Sequence, residues 1–359
     1  MSSALTCLWA DLPAGSQKSY FLEVAESYTG IIIRLPFMVW KGKEEGKTLC
    51  VTAAVHGDEI NGTGTIRQMI ASPTFELKAG TLVLVPVVNI QGFERQSRYM
   101  PDRRDLNRYF PGNRNGSVTS RLAGVLFEDI LVHCDFSIDL HTAAVRRTNF
   151  PHIRSDMNNP RCSDMAKAFG VEIVINGEGP EGSLRREATQ AGCATIVLEA
   201  GEVWKVETAY VETATRGITN VMKMLEMIEG EIDTPEHQLI CHNTRWLRAQ
   251  SGGFLQFHAS PGDTLTKGQT ITTNTGVLGN ELATLEAPCR GVIIGMSTMP
   301  AVSPGDPVIH LATTDREDFK AMEAYIDSID DESLEGRIRD DFATNVHVVE
   351  SEESDRVES

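Results

Sequence analysis

The sequence contains no apolar run near the ~20 residues that a membrane-spanning helix needs. Its longest apolar stretches, such as residues 81–88, have the length of buried strands. Residues 1–18 contain no basic start followed by an apolar segment, so no signal peptide is expected. Positive charge is also scarce: 33 Lys and Arg stand against 50 Asp and Glu, a formal net charge of -17. Negative potential of that size repels nucleic acid and anionic membrane, so neither is expected as a partner. No CxxC pair occurs among the seven cysteines, Cys7, Cys50, Cys134, Cys162, Cys193, Cys241 and Cys289. An odd, scattered set reads as reduced thiols of a cytoplasmic protein and not as a disulfide framework.

What is present is ordinary for a globular chain: 359 residues, 41% apolar and 23% charged, enough for two domains with a large core. Three zones follow one another. The first, residues 1–232, alternates apolar runs with helical periodicity. Strands are predicted over residues 48–55, 81–88, 135–140, 171–175 and 194–198. Helices are predicted over 59–70, 118–132, 183–191 and 207–229. That alternation implies an α/β fold, a mostly parallel sheet flanked by helices, with residues 21–40 as an antiparallel edge addition. The second zone, residues 233–314, is rich in Gly, Thr and Pro and reads as a small all-β domain. It contains an internal echo. Gly253-Phe254-Leu255 precedes Pro261-Gly262-Asp263, and Gly291-Val292-Ile293 precedes Pro304-Gly305-Asp306. The third zone, residues 315–359, is an acidic tail with one helix expected over 317–329 and too little apolar surface to order the rest.

Chemistry gathers at the strand ends of the first zone. The run ending at Val55 leads straight into His56-Gly57-Asp58-Glu59. An HxxE pair at such a turn can aim an imidazole and a carboxylate at one ion. His141, after the apolar run ending at Leu140, is the candidate third ligand, and Asp139 can accept the other N–H of a ligand histidine. Two His and one Glu with water in the fourth place form the usual ligand set of a catalytic zinc. The same set tolerates cobalt and manganese. HxxE alone is common, and a His at a strand end is commonly structural. Their coincidence after two apolar strands of one α/β zone is what gives the reading weight, because open α/β sheets place ligand sites at the carboxyl ends of strands. Glu199 follows another apolar strand. It reads either as a salt-bridged structural carboxylate or as a general base. Arg95, Arg98, Arg103, Arg104, Arg108, Arg114 and Arg121 cluster in an acidic chain, either as a solvated basic loop or for capture of carboxylates.

The set HGDE at 56–59, SRY at 97–99, DLNR at 105–108, DLH at 139–141 and LEAG at 198–201 resembles the succinylglutamate desuccinylase/aspartoacylase family. The resemblance spans about residues 45–230, in the right order. It implies a zinc carboxypeptidase-like fold and hydrolysis of the amide bond of a small N-acyl amino acid. It further implies that one zinc per chain is held by His56, Glu59 and His141, with Glu199 as catalytic base and acid. Arg98 would polarise the scissile carbonyl, while Asn107 and Arg108 would hold the substrate carboxylate. Residues 150–154 and 182–185 resemble a bacterial deacylase branch whose members deacetylate N-acetylated diamino acids. Arg185 is retained as a substrate-binding candidate. It stands further upstream of Glu199 than the acidic-side-chain-binding arginine of aspartoacylase, which argues against an aspartate-type substrate. The β zone resembles barrel-sandwich modules that carry biotin or lipoate. The attachment hairpin here reads Leu285-Glu286-Ala287-Pro288-Cys289-Arg290, without Lys, so no attached cofactor is expected. A structural role is expected instead, narrowing the active-site mouth or mediating assembly into a homo-oligomer. Two other functions share these features: a carboxypeptidase acting on peptide C-termini, and a non-catalytic binding protein.

Overall fold

A computed structural model describes residues 7–27, 29–343 and 348. The chain forms two compact units, Met1–Ala144 with Pro151–Ile240, and Val145–Phe150 with Cys241–Ser359.

The first unit is α/β. Its elements are β1 (Gln17–Glu26), β2 (Ile32–Lys41), β3 (Glu44–Ala53), α1 (Asn61–Ala71), β4 (Ala79–Val85), α2 (Ile90–Glu94), α3 (Val118–Asp129) and β5 (Phe136–His141). There follow β6 (Arg147–Ser155), α4 (Pro160–Phe169), β7 (Ile173–Asn176), α5 (Leu184–Gln190), β8 (Ala194–Gly201), α6 (Thr208–Met224) and β9 (Leu239–Cys241). Residues of β6 up to Phe150 fall in the second unit. The strands are ordered β1-β2-β4-β3-β5-β8-β6. β4, β3, β5 and β8 run parallel, with Val51 opposite both Leu84 and Ile138, and Ile138 opposite Ile196. The side chains of β4, β5, β8 and the second half of β3 are almost wholly buried, as expected of parallel strands covered on both faces.

The expected parallel character holds only for this centre. β1 pairs with β2 and β2 with β4 antiparallel, which is the edge addition expected of residues 21–40, so the sheet is mixed around a parallel centre. The order also explains where a site forms. The chain passes from β3 to its neighbour β4, then returns across β3 to β5. That reversal opens a crevice at the carboxyl ends of β3 and β5.

Several helix starts follow capping rules. Ser117 and Ser183 accept hydrogen bonds from Ser120 N and Arg186 N at the starts of α3 and α5. β6 and α4 were not expected from periodicity. The signals for α4 are local: Asn159 caps it, Pro160 occupies its first position, and Gly170 ends it in the left-handed conformation.

The second unit holds β10 (Asn243–Arg248), β11 (Gly253–Phe257), β12 (Thr264–Leu265), β13 (Thr270–Thr275) and β14 (Glu281–Glu286). After them come β15 (Gly291–Ser297), β16 (Ala301–Val302), β17 (Pro307–Thr313), α7 (Arg316–Ser328) and α8 (Leu334–Ala343). The two echoing segments interlock. β11 of the first pairs with β16 of the second, and β12 of the first with β15 of the second. Leu255, Phe257, Leu265, Ile271, Ile293 and Leu311 share the resulting core. Residues 287–290, expected at a hairpin, instead cross between sheets, because β14 pairs with β13 while β15 pairs with β12 and β17.

The tail also differs from expectation. α7 matches the one helix predicted there, but α8 follows it, with Ile338 and Phe342 buried. Phe342 meets Phe150 edge-to-face at 6.2 Å, and Arg339 donates to Gly262 O at 3.0 Å. Phe342 and Arg339 thus tie an otherwise polar, acidic helix to the rest of its unit. The rest of the tail, Val348 apart, lies outside the described residues. Among the described residues, no helix is long and apolar enough to cross a membrane.

Candidate metal centre and active site

β3 ends at Ala53, and Ala54 takes a left-handed turn with φ 51° that sends the chain into His56. Gly57 follows where the backbone of Gly92 and Phe93 presses so close that no Cβ fits. Glu59 lies just before α1, and His141 is the last residue of β5. The crevice therefore receives two candidate ligands from one turn and the third from the neighbouring parallel strand.

All three side chains are buried, and each offers one ligand atom within 4.8 Å of the other two. Glu59 Oε1 lies 2.7 Å from His56 Nδ1, and Oε2 lies 2.9 Å from His141 Nδ1. Each imidazole is backed on its far side by a carboxylate. His141 Nε2 lies 2.7 Å from Asp139 Oδ2, and His56 Nε2 lies 3.2 Å from Asp105 Oδ1. A proton donated from Nε2 to a carboxylate leaves the Nδ1 lone pair directed at the centre, which is the tautomer a metal requires. The residues thus fit a divalent cation bound through two Nδ1 atoms and the Glu59 carboxylate. Thr52 Oγ1 donates to Asp139 Oδ1 at 2.7 Å, and Thr142 N donates to Glu59 Oε2 at 3.0 Å, so both carboxylates are fixed in turn. Tyr210 OH donates to the carbonyl of His141 at 3.2 Å.

The charges support one another. Burial opposes ionisation of Glu59, but His56 and His141 outweigh it and hold the carboxyl well below the usual range. Burial likewise opposes the charged form of His141, yet Asp139 and Glu59 carry its pKa well above the ordinary histidine value, so a bound cation would have to displace the Nδ1 proton. Arg98 bridges the group, its Nη1 3.0 Å from Glu59 Oε1 and its Nη2 3.1 Å from Asp105 Oδ2. Asp58 is buried beside this cluster, and its Oδ1 makes no hydrogen bond. Burial and the neighbouring Glu59 raise its pKa.

Glu199 stands on β8 directly opposite His141 in the register, so both project from the same face at the same sheet edge. Its Oε1 lies 3.3 Å from Arg154 Nε. Arg185 is only 9% exposed, and its Nη1 is buried without a hydrogen bond. Burial and the like charge of Arg154 push its pKa down to about 10, with Glu199 opposing them. Gly179 passes so close that a Cβ there would stand 3.0 Å from Arg185 Nη2.

Asn107 and Arg108 connect to the cluster through Asp105, which accepts from Asn107 N at 2.9 Å. Asn107 Oδ1 accepts from Leu184 N at 2.8 Å, which ties this loop to the start of α5. Arg108 is exposed and donates to Asn107 O at 2.6 Å. The structure therefore joins His56, Glu59, His141 and Arg98 directly. Glu199 stands beside His141, and Arg185 lies near Arg154 and Glu199. Sequence reasoning assigned no role to Asp105, Arg154, Thr52 or Tyr210. Asp105 and Arg154 sit inside motifs that drew attention for other residues, but their partners are distant in sequence.

Comparison with known proteins adds similarity across most of the chain. A family model, the succinylglutamate desuccinylase/aspartoacylase catalytic domain, matches residues 45–225. An N-alpha-acetyl-L-2,4-diaminobutyric acid deacetylase from Halomonas elongata is 26% identical over 301 residues, 80% of this chain and 87% of the relative. A product-bound ectoine utilization protein from Ruegeria pomeroyi superposes with a TM-score of 0.74 at 21% identity, covering 84% of this chain and 97% of that one. A succinylglutamate desuccinylase/aspartoacylase structure from Rhodobacter sphaeroides gives a TM-score of 0.73 at 24% identity, covering 88% and 100%. At these identities the structural likeness speaks for the fold.

Proposed function

Because the chain belongs to the succinylglutamate desuccinylase/aspartoacylase family, we propose that it is a zinc-dependent hydrolase of the amide bond in small N-acyl amino acids. The products are a carboxylate and the free amino acid. The observation that carries this reading is the pair of carboxylate-backed imidazoles presenting Nδ1 to either side of Glu59. The activity in the name of the Halomonas elongata relative supports the same reaction class.

His56, Glu59 and His141 would hold one zinc per chain, which would supply Lewis acidity toward the scissile carbonyl and the attacking water. The protein's own groups do the rest. A carboxylate oxygen of Glu199 takes the proton of the attacking water and returns it to the amide nitrogen, which cannot leave as an anion. Arg98 is already anchored on Glu59 and Asp105, so its guanidinium meets the carbonyl oxygen as that atom gains charge without reorganising. Asn107, Arg108 and Arg185 hold the anionic groups of the substrate. In this reading catalysis lies within residues 1–232, and the all-β segment 233–314 and acidic segment 315–359 provide no reacting group.

The test is a hydrolysis screen across N-acetyl, N-succinyl and N-formyl amino acids and dipeptides, with metal analysis of the same sample. Release of free amino acid from an N-acyl substrate by protein loaded with one zinc is expected. Preference for dipeptides, or failure of the protein to retain zinc, would overturn the proposal.

A further inference from the structure

The family motifs account for Glu199 but not for what holds it. A glutamate at a strand end has three rotatable side-chain bonds. A proton shuttle must nevertheless face first the attacking water and then the leaving nitrogen, within a few tenths of an ångström. Arg154 supplies the constraint. It projects from β6, the neighbour of β8 in the sheet order, and its Nε lies 3.3 Å from Glu199 Oε1. Both side chains are largely sheltered, 29% and 19% exposed, so water screens the pair only partly. Nε makes no aligned hydrogen bond, so the contact is a charge pair that has room to tighten when substrate displaces water. Arg185, a buried guanidinium, feels the like charge of Arg154 and the opposite charge of Glu199. A sheltered carboxylate held against a guanidinium at 3.3 Å has few low-energy orientations.

We propose that Arg154 is a positioning residue that fixes the Glu199 carboxylate for proton transfer, without itself touching the substrate. This rests on the assignment of Glu199 as the base. R154A should lower kcat by about 10²-fold, the cost of roughly 1 Å of misplacement, with KM and bound zinc unchanged. R154K keeps the charge but loses the planar fork, and should recover part of the loss. In an E199Q background, R154A should add less than about twofold, because residues that act as one unit are not additive.

The experiment measures kcat, KM, zinc content and melting temperature for R154A, R154K, E199Q and the R154A/E199Q double variant, all as full chains loaded with zinc. An R154A effect that falls on KM, or the same fold-loss in the E199Q background, would overturn the inference. So would kcat within about twofold of the parent. If R154A does not fold, R154K carries the test alone: a lowered kcat with KM and zinc content held supports the role, and an unchanged kcat refutes it. Near-normal turnover of zinc-loaded E199Q would defeat the assignment of the base. An inactive E199Q beside a fully active R154A would defeat the Arg154 inference only.

Discussion

Replacing Asp139 with Asn tests the proposed metal centre at the point where the structure is most explicit. Asp139 is 1% exposed, and its two oxygens are both committed, Oδ2 to His141 Nε2 at 2.7 Å and Oδ1 to Thr52 Oγ1 at 2.7 Å. The amide of Asn has the same shape and can still accept from Nε2. It removes the negative charge that makes the imidazole a strong donor at Nδ1. Loss of such a carboxylate partner typically costs 10–100-fold in metal affinity, or about 1.4–2.7 kcal/mol. Asp105 backs His56 in the same way but at 3.2 Å, and its side chain is 21% exposed, so water can replace it more readily. Asp105→Asn should therefore weaken metal binding less than Asp139→Asn does. Competition with a chelator, read as the zinc Kd of each purified variant, measures both. Equal affinities for parent and Asp139→Asn, or the reverse order of the two variants, would refute the argument that the far-side carboxylates fix the ligand tautomers.

Three further outcomes are expected. Glu199→Gln should lose about 10²–10⁴-fold in kcat while keeping its zinc, and Glu202→Gln much less, since Glu202 pairs with Lys205 at 2.9 Å; turnover and metal content measured together decide this. Arg98→Ala should act mainly on kcat, because its charge meets an oxygen that becomes negative only during reaction. Exposed Arg108→Ala should act mainly on KM, and steady-state kinetics showing the opposite split would exchange the two roles. Phe342→Ala should destabilise the unit containing α8 by about 3–5 kcal/mol, since it empties a buried site packed on Phe150; a melting temperature within about 2 °C of the parent would show that α8 contributes little.

The sequence by itself determined those parts of the protein in which cause and effect are neighbours. Buried parallel strands read as apolar runs because both of their faces are covered. His56 and Glu59 read as a pair because one turn separates them, and Glu199 read as exceptional because an apolar strand runs straight into a carboxylate. The echo in the β zone was legible because each half repeats its own turn. Tertiary structure decided everything that depends on which strand lies beside which. It placed β3 between β4 and β5, so that His141 faces Glu59, and it set Glu199 opposite His141 in the register. Asp105 could be recognised as the partner of His56, and Arg154 as the partner of Glu199, only once loop and strand were laid against the site. The same holds for α8, whose composition promised solvent. Its Phe342 gains packing energy from Phe150, and no local pattern in an acidic segment can register a partner that far away in the chain.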